Sequence, residues 1–325
     1  MSSKLLPIIL SSAALASSAA YAETGDTTNK LYGKANVSLQ NKESDASGSQ
    51  ESAWKLANHA SRIGVKGDYA LDDSLKAIYK IEYEVMIDDG DDGSGNKSEF
   101  KQRNTFIGLK GGWGQVFAGV HDTPMKTAQG KIDQFNDVTD MKIIVDGENR
   151  MKNVVQYSTP KFNGFSAKLM TILGEDNDPS VDEGGLADHI SASVTYKSKQ
   201  LWAAFAIDDS VKGQDMMRLA GEYNSGKFTV GAIYQDSEPT NGGTSYKGAV
   251  VSGSVKVGNG FKLKAQYNVS DEKIMGGEMI SLGVDKKLAK NAKVFAYYTT
   301  VSADASEDEE NFFGLGIEYK FSSTL

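Results

Sequence analysis

The chain contains no cysteine, which excludes both a disulfide framework and thiolate metal sites. Histidine is nearly as scarce: His59, His121 and His189 are scattered, without an HExxH pair. No GxSxG motif or Ser-His-Asp order accompanies them, so an enzyme is not expected. His59 and His121 read as ordinary wall or loop residues. Beyond Ala22 no apolar run approaches the roughly 18 residues that a membrane-spanning helix needs; Leu201 to Ile207 comes nearest. A mature chain embedded in a membrane would therefore have to be a closed barrel, the only other structure that satisfies every backbone polar group in hydrocarbon.

What is present begins with a leader. Lys4, an apolar stretch around Leu5 to Leu15 and Ala20-Tyr21-Ala22 have the three-part order of a secretory signal, so residues 1–22 are expected to be cleaved and 23–325 to form one domain. Removing Lys4 leaves 34 basic against 43 acidic residues, a mature net charge of −9. Such an acidic exported chain is a poor candidate for nucleic-acid binding.

From Lys30 onward one theme repeats: about ten residues of alternating polarity, then a turn or loop rich in Gly, Asp, Asn and Ser. Sixteen such segments are readable, at 30–40, 52–68, 74–87, 99–111, 114–121, 151–159, 164–173, 187–198, 201–208, 215–224, 227–236, 246–257, 261–270, 278–288, 292–301 and 311–321. The connections alternate between short turns and longer polar loops, the latter at 41–51, 88–98, 122–150, 174–186, 209–214, 237–245, 271–277 and 302–310. The four prolines after the leader, Pro124, Pro160, Pro179 and Pro239, all fall in these connections, as residues unable to donate to a ladder should. The fold class expected is all-β: a 16-stranded antiparallel transmembrane β-barrel with short periplasmic turns and long external loops.

The alternation assigns faces. From Phe313 to Phe321 one face carries Phe, Leu, Ile, Tyr and Phe, the other Gly, Gly, Glu and Lys. Lys76, Lys80, Glu82 and Glu84 likewise share a face, which should line water, because a charge at mid-bilayer costs ~2–4 kcal/mol. Tyr79, Tyr83, Tyr297, Tyr319 and Phe321 are candidates for interfacial aromatic girdles. The longest connection, 122–150, carries Asp133, Asp137, Asp140, Asp146 and Glu148, and is the element expected to fold inward and narrow the channel. Its acids would face Arg62, Lys66, Lys101 and Arg103 across the water, ordering it and orienting polar solutes. Two acidic runs, Asp88 to Asn96 and Glu307 to Glu310, lack the spacing of a calcium loop and read as solvated charge; weak divalent-cation bridging to lipid headgroups is the alternative.

Several stretches resemble the general diffusion porins of Gram-negative outer membranes: Leu31-Tyr32-Gly33, Ser61 to Gly67, Arg103 to Gly111, Gly114 to Thr123, and Asn153 to Pro160 followed by Gly164-Phe165. The resemblance spans the mature chain. It implies a homotrimer in outer-membrane lipid and lipopolysaccharide, each subunit passing small hydrophilic solutes and ions without a cofactor through a pore narrowed by the third external loop. It also implies a constriction with Arg62, Arg103 and Arg150 on the basic side, and Asp133 and Asp137 on the acidic side. Two departures are visible. Val120 stands where many members carry arginine, implying a weaker basic cluster, and Ser322 to Leu325 follow the phenylalanine on which the family usually ends. Net acidity points to mild cation preference. A substrate-selective channel, or an adhesin or receptor barrel acting through its loops, would use the same architecture.

Overall fold

The computed structural model describes residues 27–45, 51–89, 98–174, 185–271, 277–303 and 309–325. The leader 1–22, Pro179 and most of the two acidic runs lie outside these residues. Sixteen antiparallel strands close on themselves: β1 (Thr27–Ser44), β2 (Glu51–Asn58 and Arg62–Ala70), β3 (Leu75–Val85), β4 (Phe100–Gln102 and Thr105–Gly111), β5 (Gly114–Asp122), β6 (Arg150–Ser158), β7 (Phe165–Ile172) and β8 (His189–Lys197). The second half comprises β9 (Leu201–Val211), β10 (Gln214–Asn224), β11 (Phe228–Pro239), β12 (Tyr246–Gly258), β13 (Phe261–Ser270), β14 (Gly277–Ala289), β15 (Ala292–Ala303) and β16 (Glu309–Thr324). Each strand pairs with its sequence neighbours, and β16 pairs with β1 over the register Lys30↔Thr324 to Ser44↔Glu310. Among the described residues no helix is long and apolar enough to cross a membrane.

The period-two pattern explains the faces. In β3, Leu75, Tyr79, Ile81 and Tyr83 point outward, while Lys76, Lys80, Glu82 and Glu84 point into the lumen. Ile107, 69% exposed, and Leu315, 54% exposed, belong to an apolar outer belt that a soluble protein would bury. Residues 322–324 are no appendix: Ser322, Ser323 and Thr324 continue β16 against Tyr32, Leu31 and Lys30.

Four expectations need correction. Residues 209–214 are not a loop but a tight hairpin, whose two central residues, Lys212 and Gly213, have φ of 58° and 74°, as a primed turn requires. Pro239 is the last residue of β11, at the end of its ladder. The strands read as 52–68 and 99–111 are interrupted, at His59–Ser61 and at Arg103–Asn104. Tyr297 belongs to no girdle: it faces inward, nearly buried, with its hydroxyl bonded to Gln40 Nε2 at 2.6 Å and Ser38 Oγ at 3.1 Å, while Tyr298 takes the outer face. Adjacent tyrosines in a strand must diverge, and the neighbouring glycines decide which turns in. A Cβ on Gly314 would sit 2.3 Å from the Tyr297 ring, and one on Gly316 2.3 Å from Phe295.

Gly314→Val should therefore lower barrel stability by about 1–3 kcal/mol through overpacking. Thermal unfolding in detergent, followed by circular dichroism, measures this; an unchanged midpoint would show that the inward glycines are not spacers.

Candidate functional site

The connection between β5 and β6 folds into the barrel, and sequence chemistry explains how it starts and where it rests. Thr123 caps a short helix, α1 (Pro124–Thr127), accepting from the Lys126 N–H at 3.1 Å, with Pro124 at the first helical position. The loop then buries Met125, Ile132, Met141, Ile144 and Val145 against Ala204, Ala206, Met216, Ile233, Val250 and Met279 of the wall. Its course follows the inner circumference. Ser252 on β12 donates to the Ile132 carbonyl, Gln266 on β13 accepts from the Gln134 N–H at 2.8 Å, and Thr139 bonds Thr299 on β15 at 2.9 Å.

One buried charge fastens the return of the loop. Arg218 on β10, wholly buried, donates to Glu148 Oε1 at 2.7 Å, to the carbonyls of Met125 and Asp146 at 3.2 and 2.8 Å, and to Gln235 Oε1. Gly147 makes this approach possible: its φ is +91°, and a Cβ there would lie 2.8 Å from Arg218 Nη2.

Of the five acids in the loop, Asp137 reaches the basic residues of β1 and β2. Its φ of 71° aims the carboxylate at Lys34 Nζ, 2.6 Å away, and Arg62 Nη2, 3.4 Å away. Burial would raise that carboxyl, but Lys34 and Arg62 outweigh it and hold it below the ordinary carboxylate range. Asp133 is the correction. It is buried away from the water, accepting from the backbone N–H groups of Phe135 and Met141 and from Gln266 Nε2, all at 3.0 Å. Burial, together with nearby Asp140, pushes its carboxyl up to about 6. Asp140 caps the turn at Met141–Ile143, Asp146 offers its carbonyl to Arg218, and Glu148 is the partner just described.

The wall of β1 to β7 does not present a basic row facing an acidic one. The signs interleave: Arg103 lies 3.2 Å from Glu82 and 2.6 Å from Glu84, Lys80 pairs with Glu82 at 3.2 Å, and Arg150 reaches Asp122 at 2.9 Å. Asn104 ties this together, accepting from Arg150 Nε and donating to Asp122, both at 2.9 Å. The two strand interruptions and the register shift between Gly119 and His121 fall at this level of the barrel, where they re-aim Arg62, Arg103 and Asp122. Lys66 lies further toward the short turns, exposed, its ammonium 5.3 Å from the Tyr32 ring centroid. Val120 pairs with Thr105 and contributes no charge. Sequence reasoning missed Arg218 and the apolar seat. The signal was Leu201 to Ile207, where alternation lapses because one face of β9 lies under the loop and the other belongs to the apolar outer belt.

A closed β-barrel with an apolar belt outside, charges inside and a loop lodged in its bore has the architecture of a transmembrane β-barrel. The chain belongs to the Gram-negative porin family, whose model matches residues 10–325. It is 25% identical over 306 residues to outer membrane porin protein 32 of Delftia acidovorans, covering 86% of this chain and 84% of that one. It is 28% identical over 196 residues to major outer membrane protein P.IB of Neisseria gonorrhoeae, covering 57% and 52% respectively, so the match spans about half the length of that relative. In fold it is similar to the anion-selective porin from Comamonas acidovorans, with TM-score 0.74, 22% identity and coverage of 91% of this chain and 100% of that one. Salmonella typhi OmpF in complex with daunomycin superposes with TM-score 0.71 at 16% identity over 90% and 97%.

Replacing Arg218 with leucine strands Glu148 as a buried unpaired charge, so a loss of about 3–5 kcal/mol is expected, partly recovered by adding Glu148→Gln. Thermal melts of the two variants check this; equal destabilisation would refute the staple. Because the Asp133 carboxyl is raised on folding, its contribution is complete below the ordinary carboxylate range and is lost as pH rises through about 6. The stability of the wild type relative to Asp133→Asn should thus fall between pH 4 and pH 8, by up to about 3 kcal/mol. A pH-independent difference would exclude this titration.

Proposed function

We propose that the chain acts as a porin rather than an enzyme, letting small hydrophilic solutes and ions diffuse passively across the outer membrane, with a preference for anions. The observation that carries the reading is the distribution of charge. Excess acid gathers at the loop end, at Asp88, Asp89, Asp209, Asp215, Glu309 and Glu310. The inward register nearer the short turns is rich in amines: Lys30 faces Lys66, Lys76 faces Lys110, and Lys256 faces Lys262. Net charge therefore misleads, since an ion inside the bore meets the wall first. At the level of the loop tip, Lys34, Arg62, Lys80, Arg103, Arg150 and Lys168 outnumber Glu82, Glu84, Asp122 and Asp137. On this reading Arg62, Arg103, Arg150 and Asp137 form the constriction, and Lys66 belongs to the inner vestibule.

The anion selectivity named for the Comamonas acidovorans porin agrees with this assignment. Assembly as a homotrimer is part of the proposal, supported by the Vibrio cholerae OmpT structure in its trimer form, similar in fold at TM-score 0.63, 20% identity and coverage of 91% and 99%. So are export by cleavage after Ala22, residence in phospholipid and lipopolysaccharide, and the absence of any cofactor requirement.

Reversal potentials in planar bilayers under a potassium chloride gradient test the reading. The wild type should lie on the anion side. Replacing Arg62 and Arg103 with glutamine leaves Glu82, Glu84 and Asp137 underpaired, so the anion-to-cation permeability ratio should fall by at least about twofold. A cation-selective wild type, or an unchanged ratio in the variant, would overturn it.

A further inference from the structure

At the short-turn end, two adjoining cavities in the lumen share Lys290, Asn291 and Lys320. One, of about 630 Å³, runs along β12 to β16 and includes Lys256, Lys262, Lys287 and Lys293. The other, of about 680 Å³, continues across β1 and β2 with Lys30, Lys34, Arg62 and Lys66. Carboxylates neutralise only part of this set: Asp285 takes Lys264 and Lys293 at 3.2 and 3.1 Å, and Glu318 takes Lys320 at 2.9 Å. Among the described residues none of Lys30, Lys66, Lys256, Lys262, Lys287 and Lys290 has a carboxylate within 4 Å, although Lys256 donates to the Gly226 carbonyl and Lys262 to Gln134.

We propose that this lysine ledge is a binding site for linear condensed phosphates at the periplasmic mouth of the channel, a role beyond general anion preference that rests on the porin reading. Its shape selects the ligand class. From β12 through β16 to β2 there are six strand-to-strand steps, so the ledge spans an arc of roughly 29 Å. A single phosphate meets the ammonium groups of two or three neighbouring residues; a chain of phosphates meets successive ones, and each contact is charge-assisted. Ammonium heads, unlike guanidinium forks, act as point charges that tolerate a flexible chain in several registers. Lys30, Lys66, Lys256, Lys262 and Lys320 lie on the inward register of their strands and Lys290 in the turn between β14 and β15, so most of the ledge faces solutes that enter from the periplasm rather than lipid headgroups. A chain held there occupies the path of small ions, so binding reads out as block of current.

Sidedness tests this. Asn241→Cys in the exposed loop after β11 gives the otherwise cysteine-free chain one thiol, and an impermeant maleimide added to one chamber reports the orientation of each inserted channel. In about 0.1 M salt, where screening extends only ~10 Å, tripolyphosphate should block from the short-turn end at a concentration at least about tenfold below that needed from the loop end. Orthophosphate at matched charge should not block. Lys256→Gln, Lys290→Gln and Lys320→Gln together should raise the blocking concentration about tenfold, and calorimetric titration of the detergent-solubilised trimer with tripolyphosphate should show the same loss. Equal block from both ends, or block and titration unchanged in the triple variant, would overturn the ledge. Reversal potentials measured on the same channels judge the anion preference separately.

Discussion

Inside hydrocarbon a backbone amide has no water to turn to, and this constraint fixes nearly everything else in the molecule. The ladder must close, so β1 and β16 are long and stay in register from Lys30↔Thr324 to Ser44↔Glu310. Closure makes one face of every strand greasy and leaves the other free for function. The ladder is relaxed locally, at His59–Ser61, at Arg103–Asn104 and beside Gly119, and all three places lie where the bore is narrowed. Further register shifts, at Asp208/Val211, Lys256/Gly258 and Lys287/Ala289, sit beside turns at strand ends, so irregularity falls where polar groups and water can satisfy it.

Strand number, faces and the inward loop were legible because a two-residue period and a polar punctuation leave a clear trace in the sequence. Arg62 followed from the same period, whereas Arg103 lies in the interruption at Arg103–Asn104, out of phase with the inward residues Phe106, Gly108 and Lys110 of the same strand. Other features were not legible, for physical reasons. Tyr297 and Tyr298 are chemically identical neighbours, and only the glycines across the ladder, Gly314 and Gly316, determine which ring has room inside. Asp133 and Asp137 sit four residues apart in an irregular loop, where no periodicity constrains direction; one caps its own loop and the other meets Lys34. Arg218 looked like any strand residue because its partners, Glu148, Gln235 and two carbonyls, come together only after the loop returns.

The interleaving of signs on the wall differs from two opposed rows. A row of like charges must be held apart by the scaffold, whereas Arg103 between Glu82 and Glu84, and Arg150 beside Asp122, steady one another at short range. The wall thus keeps its charged groups rigid while carrying only a small local excess of positive charge. The larger excess lies beyond it, toward the short turns, where Lys66, Lys110 and Lys256 are exposed to water.

The apolar seat under the loop has a consequence for how the channel comes into being. Ala206, Met216, Ile233, Val250 and Met279 belong to strands whose outer sides already face lipid, so a barrel with an empty bore would wet this second apolar surface from within. Such an empty cylinder is a poor resting state, exposed to collapse or to capture by other unfolded chains. The loop that fills part of the bore is also the lining that completes the wall, and a mutation that unseats it weakens the vessel as well.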